Sequence, residues 1–156
     1  MADWLFKTEP DEFSIQNLQA SPEQTTRWDG IRNYQARNFI RDTMKPGDRV
    51  LIYHSRTRPM AVVGTARVVT APYADPAQFN PESDYFDPKS SVETPRWFCV
   101  DVQLDSIFKT AVTLDTIKIT PELAEMVLLK QGRLSIQPVT AAEFKFVTGM
   151  GKSANR

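Results

Sequence analysis

The feature that most limits what this chain can fold into is a pair of apolar runs, "RVLIYHS" at 49–55 and "AVVGTARVV" at 61–69, with only a short turn containing "TRP" between them. Both are rich in β-branched residues, and so short a connection makes them a hairpin. Gly64, inside the second run, predicts a bulge or a close backbone approach. A third run, "RWFCVDVQLDSIF" at 96–108, alternates apolar and polar residues as a half-buried strand does. A doubly wound parallel sheet needs regular strand–helix alternation, which these clustered strands do not provide.

The flanking segments supply helices and shorter strands. "DWLFKTEP" predicts a first strand from Trp4 to Lys7, stopped by Pro10. Ser14 is placed to cap a short helix over 15–19, with Phe13 and Leu18 as its hydrophobic staple. Residues 20–32 read as a loop. "NYQARNFIRDTM" has helical spacing, with Ala36, Phe39, Ile40 and Thr43 on one face and Tyr34, Arg37, Asn38 and Arg41 on the other. The Pro-rich stretch 70–96 is a long connection whose rings, Tyr73, Phe79, Tyr85 and Phe86, should make it pack rather than float. Residues 112–119 read as an extended or turn element. "TPELAEMVLLKQG" at 120–132 carries the strongest helix signal, with Thr120 as N-cap, Pro121 at the first position and Gly132 as stop. A short strand over 134–139 and a helix over 140–149, opened by the capping box Thr140/Glu143, complete the order. The class this predicts is α+β: a curved mixed β-sheet or partial barrel with flanking helices. The length of 156 residues suits a single domain over 1–156.

Several chemistries lack their residues. The chain has one cysteine and one histidine and neither HExxH nor CxxC, so no metal site is expected. Cys99 has no disulfide partner in the chain and is expected in the core, in a reducing compartment. "GMGKS" at 149–153 resembles the end of a phosphate loop, but Phe146 stands where the pattern needs glycine. His54 and Ser55 are neighbours on a strand, so they point to opposite faces and cannot easily form a base–nucleophile pair. The N-terminus shows no signal peptide and no run approaches a membrane span. No cofactor is indicated.

The net charge is zero, yet residues 27–67 hold nine basic and three acidic groups. Within that region lies "WDGIRNYQARNFIR", 28–41. Arginine forks match phosphates, amides pair with base edges, and aromatic faces stack on unpaired bases. This makes Trp28, Tyr34, Trp97 and Trp4 candidate stacking rings, and Arg32, Arg37 and Arg41 candidate phosphate clamps. The same residues also suit core rings beneath a solvated basic helix, and residue types alone leave both readings open.

Five ordered blocks point further. "WLFKTEP" at 4–10, "WDGIRNYQARNFIR" at 28–41, "GDRVLIYHS" at 47–55, "DPKS" at 87–90 and "PRWFCVDV" at 95–102 together resemble the EVE domain family across residues 3–147. The resemblance implies a PUA-like fold. That group includes the YTH and SRA domains, which hold a modified nucleobase in a pocket, so it also implies a non-enzymatic reader of modified bases in DNA or RNA. It would place Lys7, Thr8 and Glu9 at a pocket-lining strand end, with Trp28 and Tyr34 as aromatic wall. Arg32, Asn33 and Arg37 would donate to base or phosphate. Tyr53, His54 and Ser55 would face the same region from a second strand, and Trp97 would begin another. Nuclear members carry a basic N-terminal extension that this chain lacks, which makes a cytoplasmic location the expectation. Two other readings use the same residues differently. One is a sensor or enzyme acting on a nucleotide-like anion, with His54 as acid–base group. The other is a protein-interaction module built on the 70–96 loop.

Overall fold

The computed structural model describes residues 1–153. Its strands are β1 (Asp3–Thr8), β2 (Thr25–Trp28), β3 (Arg49–His54), β4 (Ala61–Val68), β5 (Tyr73–Ala74), β6 (Phe98–Thr113) and β7 (Ile136–Val139). The helices are α1 (Ile15–Ala20), α2 (Tyr34–Asn38), α3 (Leu114–Lys118), α4 (Val127–Lys130) and α5 (Ala141–Ser153). The sheet runs β2-β6-β4-β3-β1-β7, with β5 also paired to β6. It is mixed and open: β1 lies parallel to β3, and the other pairs are antiparallel.

Alternation along β1 and β3 divides the interior in two. Trp4, Phe6, Val50 and Ile52 join Ile15, Leu18, Ala36 and Ile40 in one core. Leu5, Leu51 and Tyr53 join Ile117, Leu123, Phe144 and Val147 in another. Successive side chains of a strand leave on opposite faces, so the central strands are apolar throughout because both faces are covered. Asp48 ties their start together, accepting from Trp4 Nε1 at 2.9 Å and from the N–H groups of Ala2 and Lys45.

The hairpin forms with a register shift near Gly64, where an added Cβ would strike the Ser106 carbonyl oxygen and Ile15 Cδ1. Ser14 caps α1 through a box with Asn17, and Thr140 and Glu143 cap α5 reciprocally. Cys99 is buried, and burial pushes its thiol up to about 12, so it stays protonated at neutral pH. "GMGKS" is the last turn of α5 rather than a loop.

Four expectations need correction. Residues 20–32 are not all loop: Pro22–Gln24 form a 3₁₀ turn and 25–28 pair with β6 as an edge strand. The helix after Asn33 widens into a π turn over Phe39–Thr43, closed by Met44 N–H to Phe39 O at 3.0 Å. The wider turn buries Ala36, Ile40 and Met44 and leaves Thr43 exposed. Residues 112–119 split between the end of β6 and α3. The segment 120–132 is not one helix but a 3₁₀ turn at Pro121–Leu123 and then α4. There the burial of Leu123, Met126 and Leu128 on one core governs the backbone more than helix propensity does.

Candidate nucleic-acid interface

Parallel pairing brings the carboxyl ends of β1 and β3 side by side, with Lys7 opposite Tyr53 and Thr8 opposite His54. A cavity of about 1330 Å³ opens off these ends. Phe13, Trp28 and Ile31 wall it from one core, while Tyr53, Leu114 and Leu128 wall it from the other. Tyr85 arrives from the 70–96 connection, and the 132–135 turn closes the remaining side. Gly30, with φ +78°, lies directly beneath the Tyr85 ring, where a Cβ would stand 2.8 Å from Cζ. Only glycine allows that approach.

Of the residues singled out from sequence, Lys7, Thr8, Glu9, Trp28, Tyr53 and Ser55 line this cavity. The Lys7 ammonium donates to the Gly132 carbonyl oxygen and lies 5.6 Å from the Tyr53 ring centroid. Burial lowers its pKa and raises that of Tyr53. Thr8 donates to Phe13 O at 2.7 Å, and Ser55 N–H donates to Thr8 O. Trp28 is 7% exposed and packs on Phe6 and Phe13, so it is a core ring presenting one part to the cavity.

The remaining residues do not line it. His54 sits on the opposite face of β3 from Tyr53, and its Nε2 accepts the Ile15 N–H at 3.1 Å. Burial lowers its pKa. A ring already accepting at Nε2 from the first residue of α1 is a helix-capping group rather than a free acid–base group. Arg32 is held by Asp75 at 3.0 Å and by the Tyr85 and Ile31 carbonyls. Arg37 donates to Arg96 O at 2.7 Å. Tyr34 is 51% exposed and stacks on Trp97 at 4.8 Å, so Trp28 and Tyr34 do not form one wall. Trp97 is itself pinned by Nε1 to Asp87 at 2.8 Å. Arg41 is exposed and pairs with its neighbour Asp42. Asn33 is the N-cap of α2, its Oδ1 accepting the Ala36 N–H.

Sequence reading missed Tyr85, Arg27, Arg133, Ser135 and Met60 as lining residues. Tyr85 was legible only as a ring expected to pack. Arg133 stood hidden behind Gly132, which reads as a helix stop. The cavity's charge is mixed. Arg56 reaches Glu9 at 3.4 Å, and Arg27 donates to the Tyr73 hydroxyl. Asp29 is raised in pKa, first by burial and then by nearby Asp75. Among the described residues no group of His, Cys, Asp and Glu could hold a metal ion, and no helix is long and apolar enough to cross a membrane. The 70–96 connection is folded into the structure: Asp75 and Gln78 are fully buried, and Gln78 bridges Asp75, Arg96 and Trp97 through their backbone groups.

Known proteins resemble this chain in sequence and fold. The EVE domain family model matches residues 2–150. Thymocyte nuclear protein 1 of Homo sapiens is 40% identical over 164 residues, covering 94% of this chain and 72% of that protein. A hypothetical protein from Leishmania major superposes with a TM-score of 0.94 at 42% identity, covering 100% of this chain and 98% of the other. Human THYN1 protein, solved in complex with 5-methylcytosine containing DNA, superposes at 0.92 with 38% identity, covering 98% and 99%. With the family model spanning nearly its whole length, this chain belongs to the EVE domain family.

Proposed function

We propose that this chain binds nucleic acid without catalysing a reaction, holding one modified base, extruded from its strand, in the cavity at the ends of β1 and β3. The observation that carries this reading is the combination of rings and donors there. Tyr85, 42% exposed, offers an aromatic face, the largely buried Tyr53 and Trp28 present part of their rings, and Lys7 and Arg133 offer positive charge. The relative solved with 5-methylcytosine containing DNA supports the same ligand class. Extruding a base costs a few kcal/mol, and stacking on one ring returns about 1–3 kcal/mol. Two rings therefore roughly offset extrusion and leave discrimination to the polar rim.

The test is a titration of the full chain against matched oligonucleotides, DNA and RNA, with and without modified bases. Tyr85→Ala serves as the control because the ring is 42% exposed and its loss spares the core. The expected result is a preference for one modification that weakens with salt and is reduced in the variant. Equal binding to every oligonucleotide, or none to any, would overturn the reading.

A further inference from the structure

Behind the 131–134 turn lies a second, smaller cavity of about 280 Å³, lined by Asn33, Gln35, Gln131, Gly132, Arg133 and Leu134. It shares Gly132 and Arg133 with the large cavity, so one turn forms the partition between them. Its chemistry differs from its neighbour's. It has no acid and no aromatic ring, and it has three side-chain amides. Asn33 Oδ1 is committed to the Ala36 N–H, which leaves its NH₂ group to donate. The side-chain amides of Gln35 and Gln131 are exposed and make no hydrogen bond within the described residues, and the Arg133 guanidinium likewise has no acidic or carbonyl partner there.

The partition itself is fixed. Leu134 N–H closes the turn on Gln131 O at 3.2 Å. Gln137, 1% exposed, donates to the carbonyls of Gln131 at 3.1 Å and Leu134 at 2.9 Å. Lys7 holds the Gly132 carbonyl from the large-cavity side. Three of the turn's four carbonyls are thus tied down, while its Gln131 and Arg133 side chains stay free at the surface.

We propose that the small cavity takes the nucleotide next in the strand to the extruded base, with Gln35 and Gln131 reading its base edge and Arg133 holding the phosphate between the two. This rests on the base-reader proposal above. Amides present a donor and an acceptor side by side, the pattern that pairs with a base edge. A guanidinium on the shared wall is where a linking phosphate passes, and the absence of acids leaves that anion unopposed.

The experiment measures dissociation constants for oligonucleotides carrying the preferred modification, varied only at the nucleotide on either side of it. The wild-type chain should discriminate among neighbours on one side by about tenfold. In Gln35→Ala/Gln131→Ala that discrimination should collapse, while the preference for the modified over the unmodified base survives. Arg133→Ala should weaken all of them alike and lower the salt slope by about one phosphate contact. A wild-type chain indifferent to neighbours, or a double variant that keeps its preference, overturns this inference and leaves the base reader standing. Indifference to the modification itself removes both.

Discussion

Two clusters of rings and cations meet at Tyr85, and they differ in what their polar groups face. On one side Arg32 lies 5.3 Å from both the Tyr85 and Trp97 ring centroids, Trp97 stacks on Tyr34, and Arg37 lies over Tyr34 at 4.8 Å. Arg32 and Arg37 there end on a carboxylate or on main-chain carbonyls. On the other side Tyr53, Trp28 and Lys7 surround open space. The same residue types build a clasp in one place and a receptacle in the other. What separates them is whether the rings and cations close on one another or border open space, and residue composition does not encode that.

The sharpest way to break the comparison is at Asp75. It is fully buried and accepts from Arg32, from the Gly30 N–H at 2.9 Å and from the Ala77 N–H at 2.8 Å. Asp75→Ala leaves the Gly30 and Ala77 N–H groups without their acceptor and Arg32 with only its carbonyl partners, and should cost about 3–5 kcal/mol in urea unfolding. A loss near zero would mean that the clasp is not structural.

Next in size is His54. His54→Ala leaves the buried Ile15 N–H without an acceptor and should cost about 1–3 kcal/mol. The pH dependence has a definite sign. Burial holds the folded pKa below the ordinary 6.5, so between the two values the unfolded chain binds more protons. The contribution is complete above pH 6.5 and is lost as pH falls from there through the folded value. His54→Gln keeps an acceptor without titrating. The gap between the wild-type and His54→Gln urea midpoints should change across that window, and a constant gap would contradict a buried, neutral capping imidazole.

The receptacle is probed by Lys7→Met, which should leave unfolding nearly unchanged but weaken oligonucleotide binding about tenfold, the worth of one charged hydrogen bond. The smallest effect belongs to Tyr34→Ala. Losing an exposed stack on Trp97 should cost about 0.5–1.5 kcal/mol of stability and leave affinity unchanged. A large loss of affinity there would move the binding surface onto the clasp.

These contrasts mark what the sequence made legible. The hairpin, the long strand β6 and the caps at Ser14 and Thr140 follow from local pattern, because strand alternation and capping are set within a few residues. Strand β2 did not announce itself, since an edge strand of "TTRW" buries only Trp28 and lacks alternation. The 120–132 segment misled because capping and propensity favoured a helix that core packing interrupts. At the site, Lys7, Thr8 and Tyr53 were legible as strand ends. The His54 placement was implicit in the same alternation, which sends it away from Tyr53. Arg32, Arg37 and Tyr34 could not be separated from Lys7 by type, because their partners, Asp75, Arg96 and Trp97, lie 43, 59 and 63 positions away in the chain. Contacts of that range are decided by topology.

The most direct measurement is photocrosslinking of the full chain to an oligonucleotide carrying a 5-iodopyrimidine at the modified position, with the attached residue identified by mass spectrometry. Iodine at that ring position is similar in bulk to a methyl group, and the radical formed on irradiation attaches to aromatic rings in contact with it. The account predicts attachment to Tyr85, Trp28 or Tyr53, within the cavity. Attachment to Tyr34 or Trp97 instead would place the base on the clasp and contradict it.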